Sequence, residues 1–443
     1  MLLLALGGKA QAWQKWHKYV TNDAAGVSGS CAFATIQKGI NTALAGSTVI
    51  VDAGDYTAQG VLSSANSGSS GNLITIQAAP GATVKIARIT VSNNYVVIQG
   101  FAVMSPGSML SNIAGIVLSG SYDQALHNTI YGNCQPWVTG EGCNTAIYTG
   151  GAYNTIAYNT IDGQNNSTTY AFGIGMYFDT TSSYTTASYN TFQGMNSPGR
   201  VFEIYGSFNR ITHNEVKNCS GEKVNLQDHP DIFQTFGSAG SHDQTIENNY
   251  FHDFGGQIGN LEANGNYPAW YHWVFRNNVF ANIGNSLFMY FPVSFYNNTS
   301  YNCASATGVN RFPLYACYAN GAITSKNNAF VASGTSIYNG WYACGSGDND
   351  FVSNSVTGGT KSGFNEPHGI NGGNPHLITL NTDCVVNSCN FGITGESALK
   401  GQGVNLYSTF TTDYADSPRP SSGAWDIGAL VYSPIHLMPP VVY

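Results

Sequence analysis

The chain has 443 residues, of which only 9% are charged, and it contains 52 glycines and 27 tyrosines. This composition suits long sheets with tight turns and excludes a disordered chain. With 16 Lys plus Arg against 24 Asp plus Glu, the formal net charge is −8. Neutralising phosphates requires a basic stripe, so the charge argues against a nucleic-acid partner.

The N-terminal residues 1–12 hold a short apolar run followed by Ala10-Gln-Ala12. This pattern predicts the end of a signal peptide with a small-residue cleavage site, although a basic start is lacking. An ordinary buried segment is the alternative. No later segment approaches 18 uninterrupted apolar residues, so no membrane span is expected. The predicted location is secreted or at the cell surface.

Residues 30–46 show the spacing of an amphipathic helix, with apolar side chains at Ile36, Ile40 and Leu44. A first strand is predicted directly after it, over 47–56. A helix at this position would cap the open N-terminal end of a stack of strands and protect it from edge pairing.

A short block then recurs nine times, in which an asparagine is followed two residues later by an aliphatic, aromatic or small residue. The asparagines are Asn128, Asn159, Asn190, Asn214, Asn249, Asn278, Asn298, Asn328 and Asn354. The eight steps cover 226 residues, a mean of about 28, and periods of this length indicate a solenoid, propeller or array. Short alternating runs between turn residues predict parallel β-solenoid coils over 48–395, with the asparagine amides stacked at one turn.

Two segments near the start, Gly71–Gly81 and Tyr95–Phe101, together with the predicted helix and first strand, resemble the opening coils of secreted right-handed parallel β-helix proteins of the pectate-lyase-like superfamily. Arg419–Gly428 is similar to the closing segment common in that group. The resemblance implies an all-β, right-handed parallel β-helix with an N-terminal capping helix. It implies one domain over 13–432, with a closing segment over 396–432 and a tail over 433–443. This architecture hosts lyases, hydrolases, esterases and non-catalytic surface proteins, so activity must be argued from a site.

Nine cysteines show no paired CxxC spacing that would indicate zinc. Export would make disulfides their natural use. The pairs Cys134 with Cys143 and Cys384 with Cys389 are close enough to pin loops, and Cys317 and Cys344 lie about one coil apart. The odd count leaves at least one thiol outside any disulfide.

Charge concentrates between residues 200 and 262, which hold nine of the 24 acids and four of the ten histidines. The acids are Glu203, Glu215, Glu222, Asp228, Asp231, Asp243, Glu247, Asp253 and Glu262, and the histidines are His213, His229, His242 and His252. Aligning the glycines at 206, 237 and 265 places Glu203, Gln234 and Glu262 in one polar ladder on three successive coils. The block Asp228-His229-Pro-Asp231 precedes the middle strand.

Two reactions fit these residues. Cleavage of a uronic-acid polymer by β-elimination requires that the sugar carboxylate be neutralised and that a base take the proton at C5. Asp228, Asp231 and Glu203 are candidate ligands for a Ca²⁺ ion that would neutralise the carboxylate. Lys223, Arg200 or His229 is the candidate base.

Hydrolysis requires two carboxyl groups about 5 to 9.5 Å apart, and Asp228, Asp231, Glu203 and Glu262 supply candidates. The predicted substrate-binding residues are Gln234, Glu262, Tyr205, Phe236 and Tyr177. The rings of the last three are suited to stacking on sugars. The sequence thus predicts a secreted carbohydrate-active enzyme acting on a polysaccharide, with a lyase preferred to a glycoside hydrolase. A non-catalytic glycan-binding or structural β-helix is the alternative, and nothing in the pattern indicates an oligomeric state.

Overall fold

The computed structural model describes residues 17–20, 32–104, 114–132, 145–163, 173–195, 199–219, 230–237, 239–263, 267–303, 314–317, 323–331, 347–348, 350–353, 368–381, 384 and 388–434. The chain comprises two compact units, Met1–Asn190 and Thr191–Tyr443. Across these described ranges, no helix has both the length and the apolar character needed to cross a membrane. The prediction of one domain over 13–432 stays a prediction.

In the first unit the elements are the helix α1 (Ile36–Thr42), the 3₁₀ helix η1 (Thr57–Gln59) and the strands β1 (His17–Val20), β2 (Ala32–Phe33), β3 (Thr48–Val51), β4 (Gly54–Asp55), β5 (Val61–Ser63), β6 (Ile74–Ala78), β7 (Val84–Ile86), β8 (Arg88–Val91), β9 (Val96–Gln99), β10 (Ala102–Val103), β11 (Ile116–Leu118), β12 (Gln124–Leu126), β13 (Thr129–Tyr131), β14 (Thr145–Thr149), β15 (Thr155–Ala157), β16 (Thr160–Asp162), β17 (Ile174–Phe178) and β18 (Thr186–Ser188).

In the second unit they are the 3₁₀ helix η2 (Tyr267–Ala269) and the strands β19 (Thr191–Gln193), β20 (Arg200–Ile204), β21 (Arg210–Thr212), β22 (Glu215–Lys217), β23 (Asp231–Thr235), β24 (Ser241–Glu247), β25 (Tyr250–Leu261), β26 (Trp270–Arg276), β27 (Val279–Met289), β28 (Val293–Tyr296), β29 (Thr299–Tyr301), β30 (Leu314–Cys317), β31 (Ile323–Lys326), β32 (Ala329–Val331), β33 (Gly347–Asp348), β34 (Phe351–Ser353), β35 (Ile370–Asn371), β36 (Leu377–Thr379) and β37 (Asn390–Ile393).

Each unit is a parallel β-solenoid in which successive coils stack three sets of short strands. In the first unit the stacks are β3-β6-β9-β12-β15-β18, β4-β7-β10-β13-β16 and β5-β8-β11-β14-β17. In the second unit they are β21-β24-β26-β28-β31-β33, β19-β22-β25-β27-β29-β32-β34-β35 and β20-β23-β25-β27-β30. We call the last of these the β20 stack. The long strands β25 and β27 take part in two stacks. Apolar side chains at alternate positions of the strands fill the interior of the coils.

The predicted asparagine ladder is confirmed in both units. In the first unit the Asn128 backbone N–H donates to Asn159 Oδ1, and that of Asn159 donates to Asn190 Oδ1, each at 3.0 Å. In the second unit the same bond joins Asn214, Asn249, Asn278, Asn298 and Asn328 in order, at 2.9 to 3.1 Å. The row continues to the carboxylate of Asp350, which accepts from the Asn328 N–H at 2.7 Å. Asn354 lies outside the described residues.

The capping helix is present but shorter than predicted. It covers Ile36–Thr42, with Thr35 as its N-cap, and it buries Ile36 and Ile40. Leu44, which the spacing placed on the buried face, follows the end of the helix and is 67% exposed. The helix ends because the Leu44 N–H bonds to Ser47 Oγ and Ala43 takes an extended backbone, so the helical period stops one turn early.

The C-terminal part begins with an antiparallel hairpin, β36–β37, beside the disulfide Cys384–Cys389, which confirms one predicted pair. Cys219 and Cys303 are buried and reduced. The pair Cys134 and Cys143, Cys344, residues 1–12 and residues 435–443 lie outside the described residues. The segment 403–429 then lies along the second unit, where Asn297 Nδ2 donates to the carbonyls of Asp426 and Gly428.

Candidate active site

Part of the charged region forms one polar row on the β20 stack. Backbone register pairs Glu203 of β20 with Gln234 of β23, and Gln234 with Asn260 of β25. Phe202 and Phe233, which precede the first two in sequence, are fully buried in the core. Because alternate residues of a strand point to opposite faces, Glu203 and Gln234 point away from that core. We call Glu203, Gln234 and Asn260 the polar row.

Glu203 holds two other candidate residues in place. Its Oε2 accepts a hydrogen bond from Arg200 Nη1 at 2.9 Å, and its Oε1 accepts one from the Tyr205 hydroxyl. Glu203 is 3% exposed, whereas the Arg200 side chain is 34% exposed. The carboxylate is therefore an internal anchor, and the arginine it orients faces solvent.

Phe236 completes this cluster. Its ring lies 5.7 Å from the Arg200 guanidinium carbon and makes an edge contact with the Tyr205 ring at 5.5 Å between centroids. Phe236 is 38% exposed. A guanidinium, which pairs well with anions, a phenol and an exposed ring thus meet at one point of the surface.

The predicted place of Glu262 in the polar row is wrong. Asn260 occupies that place, and Glu262 follows two residues later, where its Oε1 accepts a hydrogen bond from Asn260 Nδ2 at 2.6 Å. Aligning the glycines assumed that each strand has the same number of residues between its polar position and the glycine that follows. Backbone hydrogen bonds set the register instead, because the N–H of Glu262 donates to the Thr235 carbonyl at 2.9 Å.

Asn260 is the residue that the sequence reading missed. Matching the dipeptides Phe202-Glu203, Phe233-Gln234 and Gly259-Asn260 would have found it, since the first member of each faces the core. Asn260 is 8% exposed and Gln234 is 6% exposed. Within the described residues, neither Gln234 Oε1 nor Asn260 Oδ1 has a hydrogen-bond partner.

The other predicted site residues have different outcomes. Asp231 is fully buried and pairs in register with Arg200 on the neighbouring strand. Tyr177 lies on β17 in the first unit, stacked on Tyr148 with 5.4 Å between centroids. Asp228, His229 and Lys223 lie outside the described residues, so their roles stay predictions.

The predicted Ca²⁺ site stays a prediction because Asp228 lies outside the described residues, but Glu203 does not fit as one of its ligands. Both carboxylate oxygens of Glu203 already bind the donors Arg200 and Tyr205, and the guanidinium would repel a metal ion. Among the described residues there is no group of three or more His, Cys, Asp or Glu side chains suited to hold a metal. No step of the chemistry below is routed through Ca²⁺.

Part of the remaining charge forms ion pairs around the buried side chains of His252 and Glu247. His252 is 1% exposed, and its ring nitrogens lie 3.2 Å from Glu215 Oε1 and 2.7 Å from Asp253 Oδ2. Burial alone lowers the pKa of His252, but the hydrogen bonds and charges of Asp253 and Glu215 outweigh it and raise the pKa.

Glu247 forms a second buried pair. It binds Arg276 at 2.6 Å and also binds Arg210. Burial raises the pKa of Glu247, but the two guanidinium groups more than compensate and hold it below its usual value. Glu247 and its arginines lie on the stack β21-β24-β26, away from the strands of the polar row.

Comparison with solved structures gives the fold. No protein-family model and no curated protein matches the sequence. The structure resembles pectate lyase Pel9A, with a TM-score of 0.52, 16% identity, and coverage of 94% of this chain and 96% of that chain. It also resembles the XylC–xylose complex, with a TM-score of 0.52, 11% identity, and coverage of 94% of this chain and 98% of that chain. For a rhamnogalacturonan lyase the TM-score is 0.50 and the identity 13%, with coverage of 83% of this chain and 91% of that chain. At these identities the likeness shows the right-handed parallel β-helix, and it confirms the predicted fold class.

Proposed function

We propose that the protein is a carbohydrate-active enzyme, a lyase that cleaves a uronic-acid polysaccharide by β-elimination. The observation that carries this proposal is the cluster in which buried Glu203 orients the partly exposed Arg200 and the Tyr205 hydroxyl. Two of the solved structures that share its fold are a pectate lyase and a rhamnogalacturonan lyase, and this likeness supports the same class.

Arg200 is the group that binds the substrate carboxylate. A guanidinium carries five N–H donors and pairs bidentately with carboxylates, and Glu203 occupies one of these donors. Neutralising the carboxylate makes the neighbouring C5 proton more acidic, which is the first requirement of β-elimination. Glu203 keeps the guanidinium in place at no cost in reorganisation during the reaction.

The proton transfers complete the reaction. A base takes the C5 proton, the electron pair of that bond forms the C4–C5 double bond, and the C4–oxygen bond breaks. We assign the proton for the leaving oxygen to the Tyr205 hydroxyl, which turns from Glu203 Oε1 to that oxygen when substrate binds, and the phenolate left behind takes a proton back from solvent. Lys223 or His229 keeps its predicted role as the base.

We also propose that the enzyme acts outside the cell, where polysaccharides are found. The Cys384–Cys389 disulfide supports this location, because disulfides persist in oxidising compartments.

Three variants test the assignment: E203Q, Y205F and R200M. Each is expected to lower turnover of polygalacturonate or alginate by about 10²-fold to 10⁴-fold when assayed well below its melting temperature, and E203Q and R200M should also lower stability because each breaks the ion pair of the buried Glu203. Ultraviolet absorbance of the unsaturated product measures the rate. E247Q is the matched control, because it also removes a buried carboxylate from arginine partners; it should lower stability but preserve turnover when assayed well below its melting temperature.

Other outcomes would reject the lyase. Release of reducing ends without unsaturated product would indicate hydrolysis instead. Binding of a polymer with no cleavage by the wild type would indicate a glycan-binding protein.

A further inference from the structure

Two buried amide oxygens beside Glu203 have no hydrogen-bond partner within the described residues. They are Gln234 Oε1 and Asn260 Oδ1, on side chains that are 6% and 8% exposed. Leaving a buried acceptor unpaired costs stability, so such atoms in a folded protein require an explanation. Their place in the polar row points to a ligand rather than to a fault in packing.

Glu262 fixes which end of the Asn260 amide faces the row. Its carboxylate accepts the hydrogen bond from Asn260 Nδ2 at 2.6 Å, and a carboxylate has no proton to donate at neutral pH. The amide nitrogen must therefore face Glu262. The acceptor Oδ1 is left for the polar row, and Glu262 acts as a positioning residue.

An acceptor in this place selects its ligand by chemistry. It binds a hydroxyl, which can donate, and repels a carboxylate, which can only accept. Stacked strands lie about 4.8 Å apart, so Gln234 and Asn260 present acceptors one and two coils beyond Glu203. A pyranose ring is wide enough to reach from one of these coils to the next.

We propose that Gln234 and Asn260 form a subsite that binds hydroxyl groups of the sugar units next to the uronate held at Arg200. This inference rests on the proposed function and names the part of the polymer that the site recognises. A site built to pair with a hydroxyl discriminates strongly against a sugar that lacks it.

The first test is the stability of the free protein. Q234M replaces an unpaired acceptor with an apolar side chain of similar size, so its melting temperature should stay the same or rise. N260L also gives up the bond from Asn260 Nδ2 to the partly exposed Glu262, so its melting temperature should fall, but by less than in the controls. The matched controls N298L and Q244M remove amides that are fully bonded, and both should lower it. If N260L and Q234M lower the melting temperature as much as the controls, the acceptors have structural partners and the proposal is wrong.

The second test is kinetic, with polygalacturonate, or with alginate if that is the polymer the wild type cleaves. N260L and Q234M should each raise KM about tenfold with little change in kcat, which is the effect of losing one hydrogen bond made equally in ground and transition states. E262Q should raise KM similarly at unchanged melting temperature. The glutamine amide can donate a hydrogen bond to Asn260 Oδ1, so the Asn260 amide can turn over and its oxygen no longer faces the polar row. An unchanged KM in all three variants would overturn the subsite.

The two proposals fail differently. If the wild type cleaves neither polymer, the lyase assignment is wrong, whereas the melting temperatures of N260L and Q234M still decide whether the acceptors are unpaired. Calorimetric titration with trigalacturonate then measures the subsite directly. Equal affinity of wild type and N260L for this probe would reject it.

Discussion

A single histidine shows how charge is used away from the candidate active site. Both ring nitrogens of His252 face carboxylate oxygens, of Glu215 and Asp253. A neutral imidazole has only one N–H, so one of these contacts would be repulsive; only the protonated ring donates to both. The geometry and the raised pKa of His252 agree that the ring is an imidazolium in the folded protein.

The stability that His252 contributes depends on pH in a definite direction. Because its pKa is raised on folding, its contribution is fully present below its unfolded pKa, near 6.5, and is lost as pH rises through the folded value. For Glu215, burial raises the pKa, but His252 and Lys217 outweigh it and lower the pKa. Its contribution is present above its unfolded pKa, near 4.3, and is lost as pH falls through the folded value.

H252Q tests this ion pair. Removing one partner of a buried pair should lower the free energy of unfolding by about 3 to 5 kcal/mol near pH 6 and flatten the alkaline decline in stability. Chemical denaturation across pH measures both effects. H272Q is the control, because the His272 side chain is 71% exposed beside Asp243 and should change little. A steep alkaline decline that persists in H252Q would assign the pH dependence to another group.

At the same scale, sequence reasoning found Arg200, Glu203, Tyr205 and Gln234 but put Glu262 where Asn260 lies. Residue type and clustering identified side chains that the structure brings together. The register that brings them together depends on which backbone groups bond across coils, and a two-residue difference in the approach to a turn is invisible in composition.

The asparagine ladder is the element that the sequence predicted best. The requirement is local and repeats in every coil: the turn leaves backbone groups in the interior, and an amide that both donates and accepts satisfies them. Asn249, for example, donates to the carbonyls of Ile211 and Glu247 and to Asn278 Oδ1. The extent of the capping helix was predicted less well, because a 3.6-residue spacing at Leu44 continued by chance past the point where Ser47 ends the helix.

N249A should therefore cost more than an ordinary surface change. It leaves several buried backbone groups unpaired, each costing about 1 to 3 kcal/mol, so the denaturation midpoint should fall clearly. N72A is the matched control at an exposed position, with an expected effect within about 0.5 kcal/mol. Equal midpoints for the two variants would mean that water replaces the amide without loss.

At the scale of the whole molecule, the C-terminal segment seals one side of the second unit, and Arg419 holds it there. Arg419 is 3% exposed and donates to Asn277 Oδ1 and to the carbonyls of Gly428 and Ala429 at 3.0 to 3.2 Å. Burial lowers the pKa of Arg419 to about 10, despite the nearby charges of Asp413 and Asp426. The guanidinium is still protonated at neutral pH.

R419M is expected to release this segment. Loss of a charged donor strands several buried acceptors, so stability should fall by at least about 3 kcal/mol. Hydrogen exchange should quicken at the amides of Gly428 and Ala429, which bond to the coils. K400M, which removes a surface cation over the Tyr432 ring just outside the segment 403–429, should change stability by less than about 1 kcal/mol. Unchanged protection in R419M would show that ring contacts, such as that of Phe410 with Tyr296 of the coils, hold the segment without Arg419.

The asparagine row of the second unit also has an electrical polarity. Every side-chain amide in it donates toward the following coil and accepts from the preceding one, so the amide dipoles add as peptide dipoles do in a helix. The positive end of this row meets the carboxylate of Asp350, a full negative charge where it is most favourable. A carboxylate has no N–H to pass on. The side-chain relay therefore stops at Asp350, and the next strand, β35, is joined to this residue by a main-chain bond, from the Ile370 N–H to the Asp350 carbonyl at 2.8 Å.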